Sequence, residues 1–332
     1  MRCLYKYLLF LLLALMGSKS QAIQLSTQVY NDYFAGTDQY FTNGIVISWL
    51  DDTIDYDDNS QFFSSGIKNI VNNIPFFNLD ENKKYNAGSA LYHIIITPVD
   101  TTKTTAQYDD IPYAGYVAQS FYLFEWNKTE FNEYRIEFGV VGKQARAEQV
   151  QNNFHSLIGV EKSHGWQTQL PTKWILNTMF RYGKISYNNQ NDTLSSDWFN
   201  HYGAGLGNFQ NHIFAGSIYR IGQNYQQNFN VHYPYLKEEA SLLKTTNNRK
   251  GFGWALSGGI NIQAVSYLYI LDKAKEEGYK IDKKPQSASL YLGLDLLYNS
   301  HKLTGYYQAH SSATYNVDSS QIFGGFMYSY QF

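Results

Sequence analysis

Gly325-Phe326-Met327-Tyr328-Ser329-Tyr330-Gln331-Phe332 closes the chain with a strict alternation. Successive side chains of a β-strand point to opposite faces, so Phe326, Tyr328, Tyr330 and Phe332 share one face. An aromatic face running to a terminal Phe is how outer-membrane barrels end, with rings at the membrane interface and a strand that must close onto the first. The stretch therefore predicts an all-β protein, a transmembrane antiparallel β-barrel.

The other end agrees. Arg2 and Lys6 precede an apolar run over residues 8–16, and Ser20-Gln21-Ala22 supplies the small residues that signal peptidase needs. The expected organisation is a signal peptide over 1–22 and one barrel domain over 23–332. The apolar run falls short of the ~20 residues that span a bilayer as a helix. Cys3 is the only cysteine and lies within the signal, so the mature chain forms no disulfide.

Composition narrows the class further. Tyr 30, Phe 21 and Trp 6 make the chain 17% aromatic, yet its mean hydropathy is −0.40. Aromatic girdles around a polar lumen account for both. Acidic residues outnumber basic ones, 28 to 26, and the signal removes three of the basic ones, so nucleic acid is not an expected partner.

Period-2 runs of membrane-crossing length recur. In 131–141, Tyr134, Ile136, Phe138 and Val140 oppose Glu133, Arg135 and Glu137; in 289–298, Leu290, Leu292, Leu294 and Leu296 oppose Tyr291, Gly293 and Asp295. Strands are predicted near 23–34, 40–50, 88–98, 112–124, 131–142, 173–186, 197–207, 211–222, 252–267, 288–299, 302–314 and 320–332, twelve in all. With both termini periplasmic, the outward loops are 35–39, 99–111, 143–172, 208–210, 268–287 and 315–319. Segments 51–87 and 223–251 then fall on the periplasmic side and are long for such turns; a missed pair of strands would shorten them.

Parity carries Asn31, Asp32, Thr42, His155 and Glu161 to one rim. The third outward loop holds a predicted short helix over 147–159. Its apolar positions are Val150, Phe154, Leu157 and Ile158, and its polar face carries Glu148, Gln151 and His155. That pattern predicts that His155 points away from the helix's packing side. Gly159 ends the helix and lets Glu161 fold back beside the histidine. A neutral imidazole takes a proton near neutral pH, and carboxylate and amide oxygens suit Ca²⁺. Each piece alone is ordinary: a histidine on a polar stripe is commonly solvated, and Asn-Asp at a strand end is common turn chemistry.

In order along the chain, Asn31-Asp32, Gly36-Thr37-Asp38-Gln39-Tyr40-Phe41-Thr42-Asn43-Gly44, Ile96-Thr97-Pro98, Asp109-Asp110-Ile111-Pro112-Tyr113-Ala114-Gly115, Gln151-Asn152-Asn153-Phe154-His155, Gly165-Trp166-Gln167-Thr168-Gln169-Leu170 and Leu206-Gly207-Asn208 resemble the LpxR-type lipid A 3′-O-deacylases of Gram-negative outer membranes. The resemblance covers nearly the whole mature chain. It implies a twelve-stranded barrel with its site between the outer wall and the loop helix, and a Ca²⁺-dependent esterase that removes the 3′-linked acyl or acyloxyacyl group of lipid A. It makes His155 the general base for water, puts Asp32, Glu161 and Asn31 on the metal side, and places Asn31, Thr42 and Gln151 among the polar residues of the reacting centre. Lys103 matches a basic residue that meets a lipid A phosphate. The chain departs from the pattern at Ile111, where members often have Arg, and at Gln167, where they have an acid. The implied partners are lipopolysaccharide, the outer membrane and the barrel-assembly machinery.

Three other readings stay open at this level. They are a passive pore, an adhesin-like barrel, and an outer-membrane phospholipase using a serine in Gln308-Ala309-His310-Ser311-Ser312.

Overall fold

Twelve antiparallel strands form in the computed structural model, which describes residues 24–35, 40–75, 77–191, 193–225, 230–231, 241–242, 250–317 and 320–332. They are β1 (Gln24–Asn31), β2 (Tyr40–Leu50), β3 (Lys84–Thr97), β4 (Ala114–Trp126), β5 (Glu130–Val141), β6 (Lys173–Asn189), β7 (Ser195–Gly207), β8 (Gln210–Gln223), β9 (Phe252–Leu268), β10 (Gln286–Tyr298), β11 (His301–His310) and β12 (Gln321–Gln331). Each pairs with the next, and β12 closes onto β1 with Tyr330 opposite Leu25 and Phe326 opposite Val29. Closure leaves no sheet edge, so every strand has a partner on both sides. Residues 1–23, which include the expected signal, and Gly36-Thr37-Asp38-Gln39 lie outside the described residues.

All twelve expected strands are present, with ends moved by a few residues. Strand β3 starts earlier, at Lys84, and β11 stops earlier, at His310, so Ser311 and Ser312 belong to the following loop. Among the described residues, the two long segments add no strands to the barrel. Residues 51–83 carry helix α1 (Phe62–Asn72), and the second segment contributes only a separate two-stranded ladder, Asn230–Val231 with Ser241–Leu242.

Alternation sorts the wall as expected. Ile136, Phe138, Leu290, Leu292, Leu294 and Leu296 are exposed on the outside, while Glu133, Arg135, Glu137 and Asp295 turn inward and are buried. Buried charge is tolerated only when paired, and the lumen supplies the pairs. Arg181 on β6 and Arg135 both bond Glu133, Arg220 meets Asp197 at 2.9 Å, and Lys302 meets Asp295 at 3.2 Å. Aromatic rings fill the space between, with Phe131 stacked on Phe199 and Tyr116 stacked on Phe209 at 4.4 Å. At the loop end, helix α3 (Tyr269–Glu276) buries Tyr269, Ile270 and Leu271 in the same apolar core.

Two helices lie on the outer wall. Side chains that point outward from β3 and β4 are nonetheless buried where these helices cover them. Near the terminal rim, Tyr85, Ala87 and Leu123 pack with Ile54, Val71 and Leu79 of the α1 segment. Near the loop rim, Ile95 packs with Tyr113, Trp166 and Ala147, the first residue of helix α2 (Ala147–Ile158).

Candidate functional site

Helix α2 is seated by close contact at its start. A Cβ on Gly115 of β4 would stand 2.5 Å from the Ala147 Cβ, so only glycine admits the helix at this height. The outward-facing His93 of β3 donates through Nε2 to the Ala145 carbonyl at 2.9 Å, tying the preceding turn to the wall. Gln151 and His155 follow Ala147 at helical spacing and fall on the same face.

That face is the buried one, which reverses the expected orientation. Gln151 is 3% exposed and His155 9%, whereas Val150 and Phe154 are exposed and Leu157 is 82% exposed. The helix turns its polar stripe to the barrel wall and its apolar stripe outward. Amphipathic spacing identifies two faces without saying which medium each meets. Against a membrane-facing wall, the apolar face finds lipid.

Gly159 ends α2 in the left-handed region, at φ 74°, and the Val160 N–H donates to the His155 carbonyl at 2.9 Å. The chain then folds back, as expected, but Glu161 reaches the histidine through its main chain: His155 Nδ1 lies 2.6 Å from the Glu161 carbonyl oxygen. A carbonyl only accepts, so Nδ1 carries the proton, and in the neutral ring Nε2 holds the lone pair. The Glu161 carboxylate is exposed and lies 3.5 Å from His164 Nε2. Asn152 clamps the returning segment, accepting from the Ser163 N–H at 2.9 Å and donating to the Ser163 carbonyl at 3.3 Å. Neither Asn152 nor Trp166 was singled out by its own chemistry in the sequence, because a helix residue that holds a backbone and an indole that holds an amide carry no distinctive spacing.

Trp166 Nε1 donates to Gln151 Oε1 at 2.8 Å. This fixes the amide and leaves its Nε2, buried and without a hydrogen-bond partner among the described residues, as an available donor. Tyr113 packs 4.9 Å from the Trp166 ring, and burial pushes its phenol up to about 12, so it stays protonated.

The structure thus brings Gln151, His155 and Glu161 together on the outer wall. Asn31 and Asp32 stand at the same rim where β1 ends, two strands from β3; Asn31 is half-buried and Asp32 is buried at the start of a 3₁₀ turn. Thr42 falls at a bulge in β2 between Phe41 and Asn43. Lys103 lies in the loop before β4, its carbonyl beside Gly165 and its ammonium exposed, 3.3 Å from Asp100, whose carboxyl is held below its usual range by the Thr102 hydroxyl and N–H. That loop borders a rim cavity of about 1070 Å³ shared with Lys280 and Glu277. Of the two departures, Ile111 is buried in the apolar core, and Gln167 donates to the Thr104 carbonyl.

Among the described residues, no three His, Cys, Asp or Glu side chains converge as a metal centre. The residues expected at the metal are nonetheless hard oxygen donors, the Asp32 carboxylate, the Asn31 amide and the exposed Glu161 carboxylate. Such a set fits Ca²⁺, which accepts flexible oxygen ligation.

A family model described as outer membrane protein LpxR matches residues 5–332. No curated protein matches the chain. Among solved structures, LpxR from Salmonella typhimurium superposes with a TM-score of 0.75 at 14% identity, covering 93% of this chain and 100% of that one. The β domain of the Bordetella autotransporter BrkA gives 0.43 at 7% identity, covering 94% and 98%. The translocator domain of the autotransporter NalP from Neisseria meningitidis gives 0.37 at 8%, covering 100% and 97%. The Salmonella protein carries the likeness of fold, and the family model spans the sequence from Tyr5 to Phe332: the chain belongs to the LpxR family of outer-membrane proteins.

Proposed function

We propose that this LpxR-family enzyme, a lipid A 3′-O-deacylase of the outer membrane, cleaves the 3′-linked ester of lipid A with His155 as general base and with Ca²⁺ held by Asp32, Asn31 and Glu161. The same reading takes 1–22 as the removed signal and 23–332 as the barrel domain. The observation that carries it is the 2.6 Å contact between His155 Nδ1 and the Glu161 carbonyl. With that bond made, Nε2 is the basic nitrogen.

His155 Nε2 takes a proton from water as the water oxygen bonds to the acyl carbon. The tetrahedral centre then collapses, the bond to the sugar oxygen breaks, and the imidazolium returns the proton to that oxygen. The products are a free fatty acid and a 3′-hydroxyl. Gln151, immobilised by Trp166, offers its Nε2 hydrogens to the developing oxyanion. Thr42 adds a hydroxyl at the bulge, and Lys103 meets a lipid A phosphate at the rim. Bound Ca²⁺ supplies polarisation of the ester carbonyl. The exposed stripe of Val150, Phe154 and Leu157 suits a substrate that stays in the membrane.

The serine reading finds less support. Ser312 Oγ donates to the Thr314 and Val317 carbonyls at 2.8 and 3.1 Å, and Ser311 Oγ accepts from the Ala288 N–H at 2.9 Å. Ser312 serves its own loop, and Ser311 ties that loop to β10.

The test is mass spectrometry of lipid A treated with each purified, folded variant. Wild type removes one acyl or acyloxyacyl unit, and His155→Ala lowers the rate by on the order of 10²–10⁴ with the barrel intact. Chelator stops the reaction, and Ca²⁺ restores it better than Mg²⁺, which demands near-octahedral geometry. Retained hydrolysis in His155→Ala, together with loss in Ser312→Ala, would sink the mechanism.

A further inference from the structure

On the outer wall, α1 borders a second apolar site, remote from His155 and at the terminal end of the strands. Like α2, the helix buries polar residues against the wall, here beside Val71. Its polar side is bound to protein: the Ser64 N–H donates to Asp51 Oδ2 at 3.1 Å, Ser64 Oγ accepts from the Ala87 N–H at 3.1 Å, and the Lys68 ammonium donates to the carbonyls of Tyr56 and Asp58. Phe63 packs 4.4 Å from the Trp49 ring and 6.4 Å from that of Phe121, fixing one edge against the wall. Val71 is buried against Tyr85 and Leu123 and Ile67 packs against the same cluster, while Phe62 and Ile70 are uncovered, Ile70 61% exposed.

Between that stripe and the barrel runs a cavity of about 640 Å³, lined by Ile67, Ile70 and Ile74 on one side and by Phe138, Phe180 and Leu206 on the other. Its volume lies within the usual range of small-molecule sites. The barrel side consists of outward positions of β5, β6 and β7, so the groove is continuous with the band that faces the hydrocarbon of the membrane. It climbs β5 from Tyr134 to Phe138, about 13 Å of strand. A polar occupant would find almost nothing to bond.

We propose that this groove holds an acyl chain of a zwitterionic, amine-bearing phospholipid from the leaflet on the terminal side. The amine follows from the charge of the covering segment. Residues 51–84 carry seven acids and three lysines. Lys68 is committed to carbonyls, Lys83 to Glu130 at 3.2 Å and Lys84 to Asp55 at 2.9 Å. An anionic headgroup meets net repulsion here, whereas an ammonium meets carboxylates.

The experiment uses the full chain in phosphatidylcholine vesicles with a trace of phosphatidylethanolamine bearing a photoreactive diazirine at the end of one acyl chain. After irradiation, adducts are mapped by digestion and mass spectrometry. The expected result is several-fold enrichment on residues 67–74 and on Phe138, Phe180 and Leu206 over the equally apolar Leu290, Leu292, Leu294 and Leu296 of β10. Ala204→Trp, which fills the groove from β7, abolishes the enrichment while ester hydrolysis and heat-modifiable migration persist. Should that variant fail to fold, Ile70→Asp on the exposed helix face does the same. Unlabelled phosphatidylethanolamine competes better than phosphatidylglycerol. Even labelling around the barrel, enrichment that survives both variants, cross-links to a second copy, or equal competition by the two lipids would overturn the proposal. Because the readout is labelling, its failure leaves the His155 mechanism standing.

Discussion

Two hydrogen bonds between Asn152 and the main chain of Ser163 hold the segment that carries the Glu161 carbonyl, and that carbonyl holds His155. The dependence runs from an amide to a backbone to an imidazole, so Asn152 sets the tautomer of the residue proposed as general base. Asn152→Leu keeps the volume and removes both bonds. We expect kcat to fall by on the order of 10², the effect of misplacing a reacting group by about an ångström, with KM little changed and the pH profile of kcat altered. Asn152→Asp retains the acceptor for the Ser163 N–H and should recover part of the loss. Full kcat in Asn152→Leu would show that the return segment needs no clamp. The spacing of Gln151 and His155 was legible in the sequence, because positions four apart share a helical face. The carbonyl was not: sequence gave Glu161 its carboxylate, while a main-chain acceptor has no signature of its own.

Helix α2 is the element whose pattern misleads. Its apolar stripe is plain and the inference that it packs inward is wrong, since Gln151 and His155 are buried while Val150, Phe154 and Leu157 are exposed. The rule that apolar faces seek the core assumes water outside, and outside this wall is lipid. Strands escaped the error because a closed barrel offers only a lumen and an exterior, and the charged parity of β5 identifies the lumen at once. How closely α2 approaches the wall is governed by Gly115, where a Cβ would stand 2.5 Å from that of Ala147. Gly115→Leu should therefore lift the start of the helix and suppress lipid A hydrolysis, while the protein still shows different migration in unheated and boiled detergent gels. Normal activity in a folded Gly115→Leu barrel would mean that the seat of α2 is unimportant to the site.

At the scale of the whole molecule, strand number, order and closure were all readable from period-2 runs and their parity. The filling of the lumen was not. Parity says that Glu133, Arg181, Asp197 and Arg220 point inward, but pairing and packing decide whether they meet, and here they do, with Arg220 2.9 Å from Asp197 and rings such as Phe131 and Phe199 between the charged groups. The long segments were equally opaque, since a helix lying outside the wall leaves the strand count unchanged.

A filled lumen has an electrical meaning. A hydrated path through twelve strands would let ions cross, and among the described residues ion pairs and stacked rings occupy the interior where that path would run. In a planar lipid bilayer under applied voltage, the inserted protein should pass no stepwise current, and regular ohmic steps would contradict the packing described. An enzyme built this way can occupy the cell's outermost permeability barrier in many copies without adding a leak.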